Sequence, residues 1–176
     1  MCGRYTLRNS KAVKDKHLLN IDVSYNVAPS HQVLTLTSES ALMRWSYNPT
    51  WAKTPMNLIN ARSETLRVKP SFKMAKRCLI IADGWYEWLR TDNKKQPYFF
   101  HMNDSLFNFA GIYTEYNGEM GCAIITKDAI QKLSTVHHRM PIIIADDEAD
   151  SWLSGEDVFD SKLSLIHISE PTRLAT

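Results

Sequence analysis

Cysteine is the second residue of the chain, in MCGRYTL, and that position can give one residue two nucleophiles. Aminopeptidases that trim initiator methionines act when the next side chain is small. Cys2 would then become the N-terminus, with a free α-amine beside its thiol. An α-amine has a pKa of about 7.7 to 8.0 and keeps a neutral, nucleophilic fraction near pH 7, which a lysine amine at about 10.4 does not. Its attack on an aldehyde gives a Schiff base. The thiol then lies one five-membered ring away from the imine carbon, so closure is intramolecular and gains from high effective molarity. Taken alone, Cys2 also fits a small buried thiol, the commoner use of the residue.

Glu87, in GWYEW, is the next residue with chemical promise. In an extended segment Trp85 and Glu87 share one face while Tyr86 and Trp88 share the other, which sets an apolar wall beside the carboxylate. Desolvation there would raise its pKa toward neutrality and suit it to shuttling protons. Without that wall it reads as a sheet-surface glutamate. His137 and His138, in HHRMP, offer imidazoles that titrate near neutral pH, or simply occupy a turn. Asn60, in INARSET, carries both a donor and an acceptor, and equally fits the N-cap of a helix over ARSET. The three cysteines, Cys2, Cys78 and Cys122, are odd in number and lack any metal-ligand spacing. Neither a disulfide framework nor a zinc site is expected. No glycine-rich phosphate loop or dinucleotide fingerprint is present, so no metal or organic cofactor is expected.

The elements that must position these residues are mostly strands. Leu34, Leu36 and ALMRW (41 to 45) read as short strands; RCLIIAD (77 to 83) and GWYEWL (84 to 89) are longer apolar runs. The turn residues TDNKK (91 to 95) followed by QPYFFHM (96 to 102) predict a hairpin, and LFNFAGIY (106 to 113) and CAIIT (122 to 126) continue the series. Short helices are expected at 11 to 20, 61 to 66, 128 to 133 and 146 to 153, the last with acidic residues at its positive end. The fold class expected is α+β: a curled, barrel-like, mainly antiparallel sheet with a few short helices.

At 176 residues, 44% hydrophobic and 23% charged, the chain suits one globular domain with a real core. Arg4, Arg8, Lys11, Lys14 and Lys16 interrupt any signal-like apolar run, and no later run approaches membrane-spanning length, so the expected location is cytoplasmic, with nucleoid association if the source is bacterial. The net charge of +2 hides an asymmetry. Residues 1 to 100 hold 16 Lys and Arg against 7 Asp and Glu; the remainder holds 5 against 12. The N-terminal part is the better anion binder, although on charge alone pairing across the fold is the simpler reading.

Several segments then occur in a telling order: CGRYT, YNVAPSHQVL (25 to 34), INARSET (59 to 65), KPSF (69 to 72), RCLIIADGWYEW (77 to 88), PYFF (97 to 100), FAGIY (109 to 113), AIIT (123 to 126) and HHRMP (137 to 141). Together they closely resemble the SOS-response-associated peptidase (SRAP) family, from residue 2 to about 153. The resemblance implies recognition of abasic sites in single-stranded DNA, and covalent capture of the opened deoxyribose as a thiazolidine on the N-terminal cysteine. It implies Cys2 as nucleophile, Glu87 as general acid and base, His137 as the imidazole that assists opening of the sugar, and Asn60 as the residue that orients the N-terminus. His138 stands where the family commonly has Asp, and Ser46 follows Trp45 where the family usually has glycine. Arg4, Arg62 and Arg139 lie within the motifs that carry Cys2, Asn60 and His137, and are expected to meet phosphates. Trp51, with Pro29 as a smaller apolar contact, is expected to stack on or wedge beside bases, favouring single strands or junctions; Trp45 is expected in the core.

Residues 163 to 173, LSLIHISEPTR, read residue for residue as the translation of a transposase-type sequencing adaptor. The expectation is therefore a single domain over 1 to 162, C-terminally truncated, with a non-native tail at 163 to 176, leaving an unpaired sheet edge and an uncovered apolar face. Three functions fit these residues: an abasic-site sensor that crosslinks to DNA, a thiol peptidase acting on itself through Cys2, and a non-catalytic binder of single-stranded DNA. No membrane partner is expected, and the simplest state is a monomer.

Overall fold

Alternating and continuous apolar runs become thirteen strands in the computed structural model, which describes residues 2–92, 94–158 and 166–169. Five of them close on one another: β3 (Gln32–Leu36), β4 (Ser40–Arg44), β6 (Lys76–Ala82), β9 (Phe107–Tyr116) and β10 (Glu119–Asp128). β3 pairs β4 and β6, β6 pairs β9, β9 pairs β10, and β10 returns to β4 through the parallel contact Gly121 with Arg44. The ring explains why 77–82 is apolar on both faces: Cys78 to Ala82 are all buried. A second sheet runs in the order β13 (His167–Ser169), β8 (Lys94–His101), β7 (Gly84–Thr91), β1 (Tyr5–Leu7), β2 (Ser24–Val27). The strands β5 (Asn60–Arg62), β11 (Arg139–Pro141) and β12 (Ile143–Ile144) attach to β10 and β9. The α+β, barrel-like and mainly antiparallel expectation holds.

The core lies between the two sheets. Trp85 stacks on Phe100 with centroids 5.0 Å apart, and Phe107 and Phe109 meet Trp85 edge-on. Tyr5 bridges to Trp45 at 5.3 Å. Each such side chain removed from water contributes about 2 to 3 kcal/mol. Trp45 is fully buried, as expected, and its indole donates to the Ile59 carbonyl at 2.9 Å. Ser46 is accommodated by donating to Asn57 Oδ1 at 2.9 Å, while glycine is needed instead at Gly121, where a Cβ would stand 2.3 Å from the Ser46 carbonyl oxygen.

The helices are shorter than the sequence pattern predicts. α1 (Ser10–His17) is capped by Asn9, whose Oδ1 accepts from Ala12 N–H at 3.0 Å, and it ends at Leu18 in the left-handed region, not at 20. Residues 61–66 are not a helix. The edge of β10 recruits 60–62 into a parallel pairing, and only a 3-10 turn at Ser63–Thr65 follows. In the same way β10 runs on to Asp128, which leaves a single turn, α2 (Gln131–Ser134). α3 (Ala149–Ser154) follows a 3-10 turn and is anchored by the buried Trp152, whose indole donates to Cys78 O at 2.9 Å.

The expected domain boundary at 162 and most of the tail lie outside the described residues. The four described tail residues do not leave the edge of β8 bare: His167 to Ser169 pair with His101 to Phe99, and Ile166 is buried. Among the described residues no helix is long and apolar enough to cross a membrane.

What fixes the N-terminal strand is a buried carboxylate. Asp83, at the β6–β7 corner, accepts from Thr6 Oγ1 at 2.5 Å, from Arg8 N–H at 2.5 Å, from Arg8 Nε at 3.2 Å and from Asn9 N–H at 2.8 Å. Replacing it strands two main-chain donors and a guanidinium. The substitution Asp83→Ala is expected to cost about 3 kcal/mol. Calorimetry should read this as a Tm lowered by roughly 6 to 12 °C.

Candidate active site

The register that seats β1 carries the start of the chain to Glu87. Tyr5 lies opposite Trp85 and Thr6 opposite Gly84, and the Tyr86 N–H donates to Arg4 O at 3.0 Å. Continued two residues toward the terminus, this antiparallel register places Gly3 opposite Glu87, with Cys2 immediately beyond. Glu87 is buried on the inner face of β7 together with Trp85, the face its alternation predicted. Burial pushes its carboxyl up to about 7, against an opposing pull from the positive chain terminus. Near neutrality it is therefore divided between acid and base.

Cys2 is fully buried. Burial first, and the Glu87 carboxylate second, raise its thiol well above the usual range, opposed by the chain terminus and the Arg4 main chain. The thiol is thus protonated at neutral pH. Glu87 and His137 both respond to the charge at the start of the chain, and Glu87 also acts on the Cys2 thiol, so the three groups share one neighbourhood.

His137 enters from the turn between α2 and β11. Its main-chain N–H donates to Leu133 O at 3.2 Å. The Arg139 N–H donates to its Nδ1 at 3.0 Å, while the Arg139 carbonyl oxygen is 3.2 Å from the same nitrogen. Nδ1 therefore has an acceptor when protonated and a donor when not, so the ring can change charge without losing its anchor. Burial, then the chain terminus, lower its pKa; His138, stacked on it at 4.5 Å, and Arg90 act in the same direction. The ring is neutral at pH 7.

Asn60 is not a helix N-cap. It lies in β5 opposite Ile124, and both polar atoms of its amide are buried without a hydrogen-bond partner. Its neighbour Ile59 is held by two donors at one carbonyl, the Trp45 indole and the Ile124 N–H. An amide fixed in this way and left unsatisfied is a ready donor and acceptor for a ligand.

A cleft of about 810 Å³ is lined by Arg62, Glu87, Trp88, Arg90, Lys95 and His137, among others. It collects Glu87, His137 and one of the three expected arginines. Arg62 is exposed and has no carboxylate partner among the described residues. Arg4 is half-buried and donates to Gly3 O at 2.7 Å, outside the cleft lining. Arg139 departs from expectation. It is only 4% exposed, and its four terminal N–H donors are taken by Glu64 through both oxygens, by Asp128, and by Thr126. That guanidinium is neutralised inside the fold, holds Glu64 down to about 2, and keeps only its buried Nε–H unpaired, out of reach of a phosphate. Trp51 is 57% exposed with its indole donating to Pro70 O at 3.3 Å, and Pro29 is half-buried in the β2–β3 turn. Neither lines the cleft.

Sequence reading missed Arg90, Lys95 and Trp88. The signal was present, because a hairpin centred near 92–93 puts Arg90 opposite Lys95 beside the Glu87 motif. Among the described residues no group of three His, Cys, Asp or Glu is placed to hold a metal ion.

With this geometry in place, the family model for SOS response associated peptidase (SRAP) matches residues 1–175. The chain is 39% identical over 181 residues to "Abasic site processing protein YoqW" of Bacillus subtilis, covering 88% of this chain and 80% of that protein. It is 35% identical over 169 residues to the mouse "Abasic site processing protein HMCES", covering 71% of this chain and 48% of that longer protein. A crystal structure of a Bacteroides thetaiotaomicron protein superposes with a TM-score of 0.78 at 25% identity, over 96% of this chain and 91% of that one.

The raised carboxyl at Glu87 has a signed consequence for stability. The folded state binds its proton more tightly than the unfolded state, so the contribution is complete below a pH of about 4.5 and is lost as pH rises through about 7. Full ionisation costs about 3 kcal/mol. Glu87→Gln escapes this cost, and its Tm is expected to exceed that of the parent by roughly 6 to 12 °C at pH 8 while matching it near pH 4. Equal differences at both pH values would show that the site does not desolvate the carboxylate.

Proposed function

Because this chain belongs to the SOS response associated peptidase (SRAP) family, we propose that it senses abasic sites in single-stranded DNA and captures them covalently through Cys2 once Met1 is removed. The observation that supports this reading is a buried Cys2 thiol coupled to Glu87, a carboxyl raised to about 7, with the His137 imidazole, its pKa lowered, in the same cleft as Glu87. Relatives named abasic site processing proteins support the substrate class.

An abasic deoxyribose is mostly a closed ring, and it must open before an amine can react. His137 assists by hydrogen-bonding the ring oxygen as it becomes a hydroxyl. The neutral Cys2 amine then adds to the aldehyde carbon, forming a C–N bond, and the carbonyl oxygen takes up a proton. Protonated Glu87 supplies a proton to the carbinolamine oxygen, which departs as water and leaves the protonated imine with Glu87 as carboxylate. The thiol adds next: sulfur bonds to the carbon of the protonated imine, the C=N electron pair returns to nitrogen, the thiol proton passes to the Glu87 carboxylate, and a five-membered thiazolidine results. The balance is one amine, one thiol and one aldehyde giving one ring and one water. Asn60 holds the amine and the sugar through its unsatisfied amide. A group cycling in this way works best with a pKa near the operating pH, and burial gives Glu87 that value.

The peptidase alternative needs a thiolate. Burial and Glu87 push the Cys2 thiol the other way, which disfavours attack on a peptide carbonyl and favours the amine-first order. DNA as partner, single strands or junctions, a monomeric state and a cytoplasmic or nucleoid-associated location belong to the same proposal.

Incubation with single-stranded DNA carrying one abasic site, followed by a denaturing gel, tests it. A heat-stable shifted band is expected, absent in Cys2→Ala and in a variant bearing an uncleaved N-terminal extension. Glu87→Gln should slow its formation by about 100-fold. Tight DNA binding without a band in the parent protein leaves only the non-catalytic binder, and an intact mass that retains Met1 or carries an acetyl cap ends the aminothiol mechanism.

A further inference from the structure

The β7–β8 hairpin carries a charge arrangement that nothing among the described residues compensates. Arg90 and Lys95 sit directly opposite one another, with Thr91 opposite Lys94 one step nearer the turn. Directly opposed residues of an antiparallel pair have Cβ atoms about 4.5 to 5.5 Å apart, and like charges there destabilise the ladder. Both side chains are exposed and both line the cleft that contains Glu87 and His137. The Lys95 ammonium is held 5.1 Å over the Trp88 ring, which limits how far it can swing from Arg90.

Many of the arginines outside the cleft are paired, whereas surface lysines such as Lys14, Lys53, Lys69 and Lys73 stand in open solvent. Arg8, Lys16, Arg44, Arg67, Arg77 and Arg139 each have a carboxylate in salt-bridge contact. Among the described residues Arg90 and Lys95 have none, and neither does Arg62, the third cation of the cleft. What sets these three apart from the scattered surface lysines is that they converge on one concave cleft.

We propose that Arg90 and Lys95 together form a single phosphate clamp on the hairpin arm, gripping one backbone phosphate of the bound strand beside the lesion, while Arg62 on β5 takes a different one. The proposal rests on the reading that the cleft receives single-stranded DNA. The spacing explains the joint grip. A phosphodiester has two unesterified oxygens, so one can accept from the guanidinium and the other from the ammonium, and one anion between the two cations converts their repulsion into two attractions. Trp88 below the ammonium adds a flat apolar contact for the adjoining sugar or base.

The test uses single-stranded oligonucleotides carrying a tetrahydrofuran abasic analogue, which has no aldehyde and so reports binding without the covalent step. Fluorescence anisotropy over a salt series compares the parent protein with Arg90→Ala, Lys95→Ala, the double variant, Arg62→Ala, and Arg44→Ala as a paired cation outside the cleft lining. Arg90→Ala and Lys95→Ala should each weaken binding several-fold, and their effects should combine to less than their product. The slope of log K against log salt should fall by roughly 0.7 in total for the double variant, and by a further 0.7 when Arg62→Ala is added. The Tm of the double variant should not fall below that of the parent, since a repulsion is relieved. Unchanged affinity and slope, an equal effect of Arg44→Ala, a lowered Tm, or a slope change of 1.4 for the double variant would each overturn the shared clamp. A parent protein that binds this DNA but forms no covalent band on authentic abasic DNA defeats the capture mechanism and leaves the clamp standing.

Discussion

The site exists because a chain terminus is held at a fixed register inside a fold, and termini ordinarily fray. Asp83 is the constraint. Its carboxylate takes two consecutive main-chain donors, Arg8 and Asn9, together with the Thr6 hydroxyl and the Arg8 side chain, which locks the exit of β1 and the entry to α1 at one point. Tyr5 then packs on Trp45 and Phe109, and the ladder to β7 runs backward from there to Gly3 and Cys2. A terminus tethered only by its own last residues would sample many positions. Anchored at Thr6, Arg8 and Asn9 on a carboxylate without solvent exposure, the segment that follows Cys2 keeps one register against β7.

Three buried ionisable side chains show how differently burial can be answered. Asp83 and Arg139 are both surrounded by groups of complementary character, so their charges are stabilised in place and they serve the architecture. Glu87 lies beside Trp85 on the inner face of β7, and burial rather than any partner dominates its ionisation. The first arrangement makes a group inert; the second leaves it able to gain and lose a proton near neutral pH. The thiol of Cys2 and the imidazole of His137 respond in the same sense, both kept neutral by burial. Their surroundings thus keep thiol and imidazole uncharged beside a carboxyl divided between its two forms.

Strands were far more legible than helices in this chain. Runs such as RCLIIAD and LFNFAGIY are buried on both faces because they belong to a closed ring, and their continuous apolarity signals that directly. The face assignment of Glu87 followed from period-two alternation and a single neighbour, Trp85. ARSETL misled because its propensities are local, while the donor and acceptor row along β10 that captures 60–62 comes from residues more than sixty positions away. Arg139 misled for a related reason. Its motif places it two residues from His137, but the carboxylates that enclose it belong to Glu64 and Asp128, and only the folded β10–β11 pairing brings Asp128 alongside. Sequence proximity to a reactive residue says nothing about which way a guanidinium points.

The charge asymmetry between the two parts of the chain resolves in two ways at once. Much of it is internal: Arg8 with Asp104, Lys16 with Asp146, Arg44 with Glu119, and Arg67 and Arg77 with Asp157 join the basic N-terminal part to the acidic C-terminal part. These pairs are mostly exposed and contribute little each, about 0 to 1 kcal/mol, so their importance is less in stability than in what they remove from the surface. Pairing subtracts basic charge at Arg8, Lys16, Arg44, Arg67 and Arg77. What remains uncompensated at the cleft is therefore sharper than the net charge of +2 suggests. A cleft of this kind focuses potential against a nearly neutral background, which steers an anionic strand to one mouth rather than coating the protein with it.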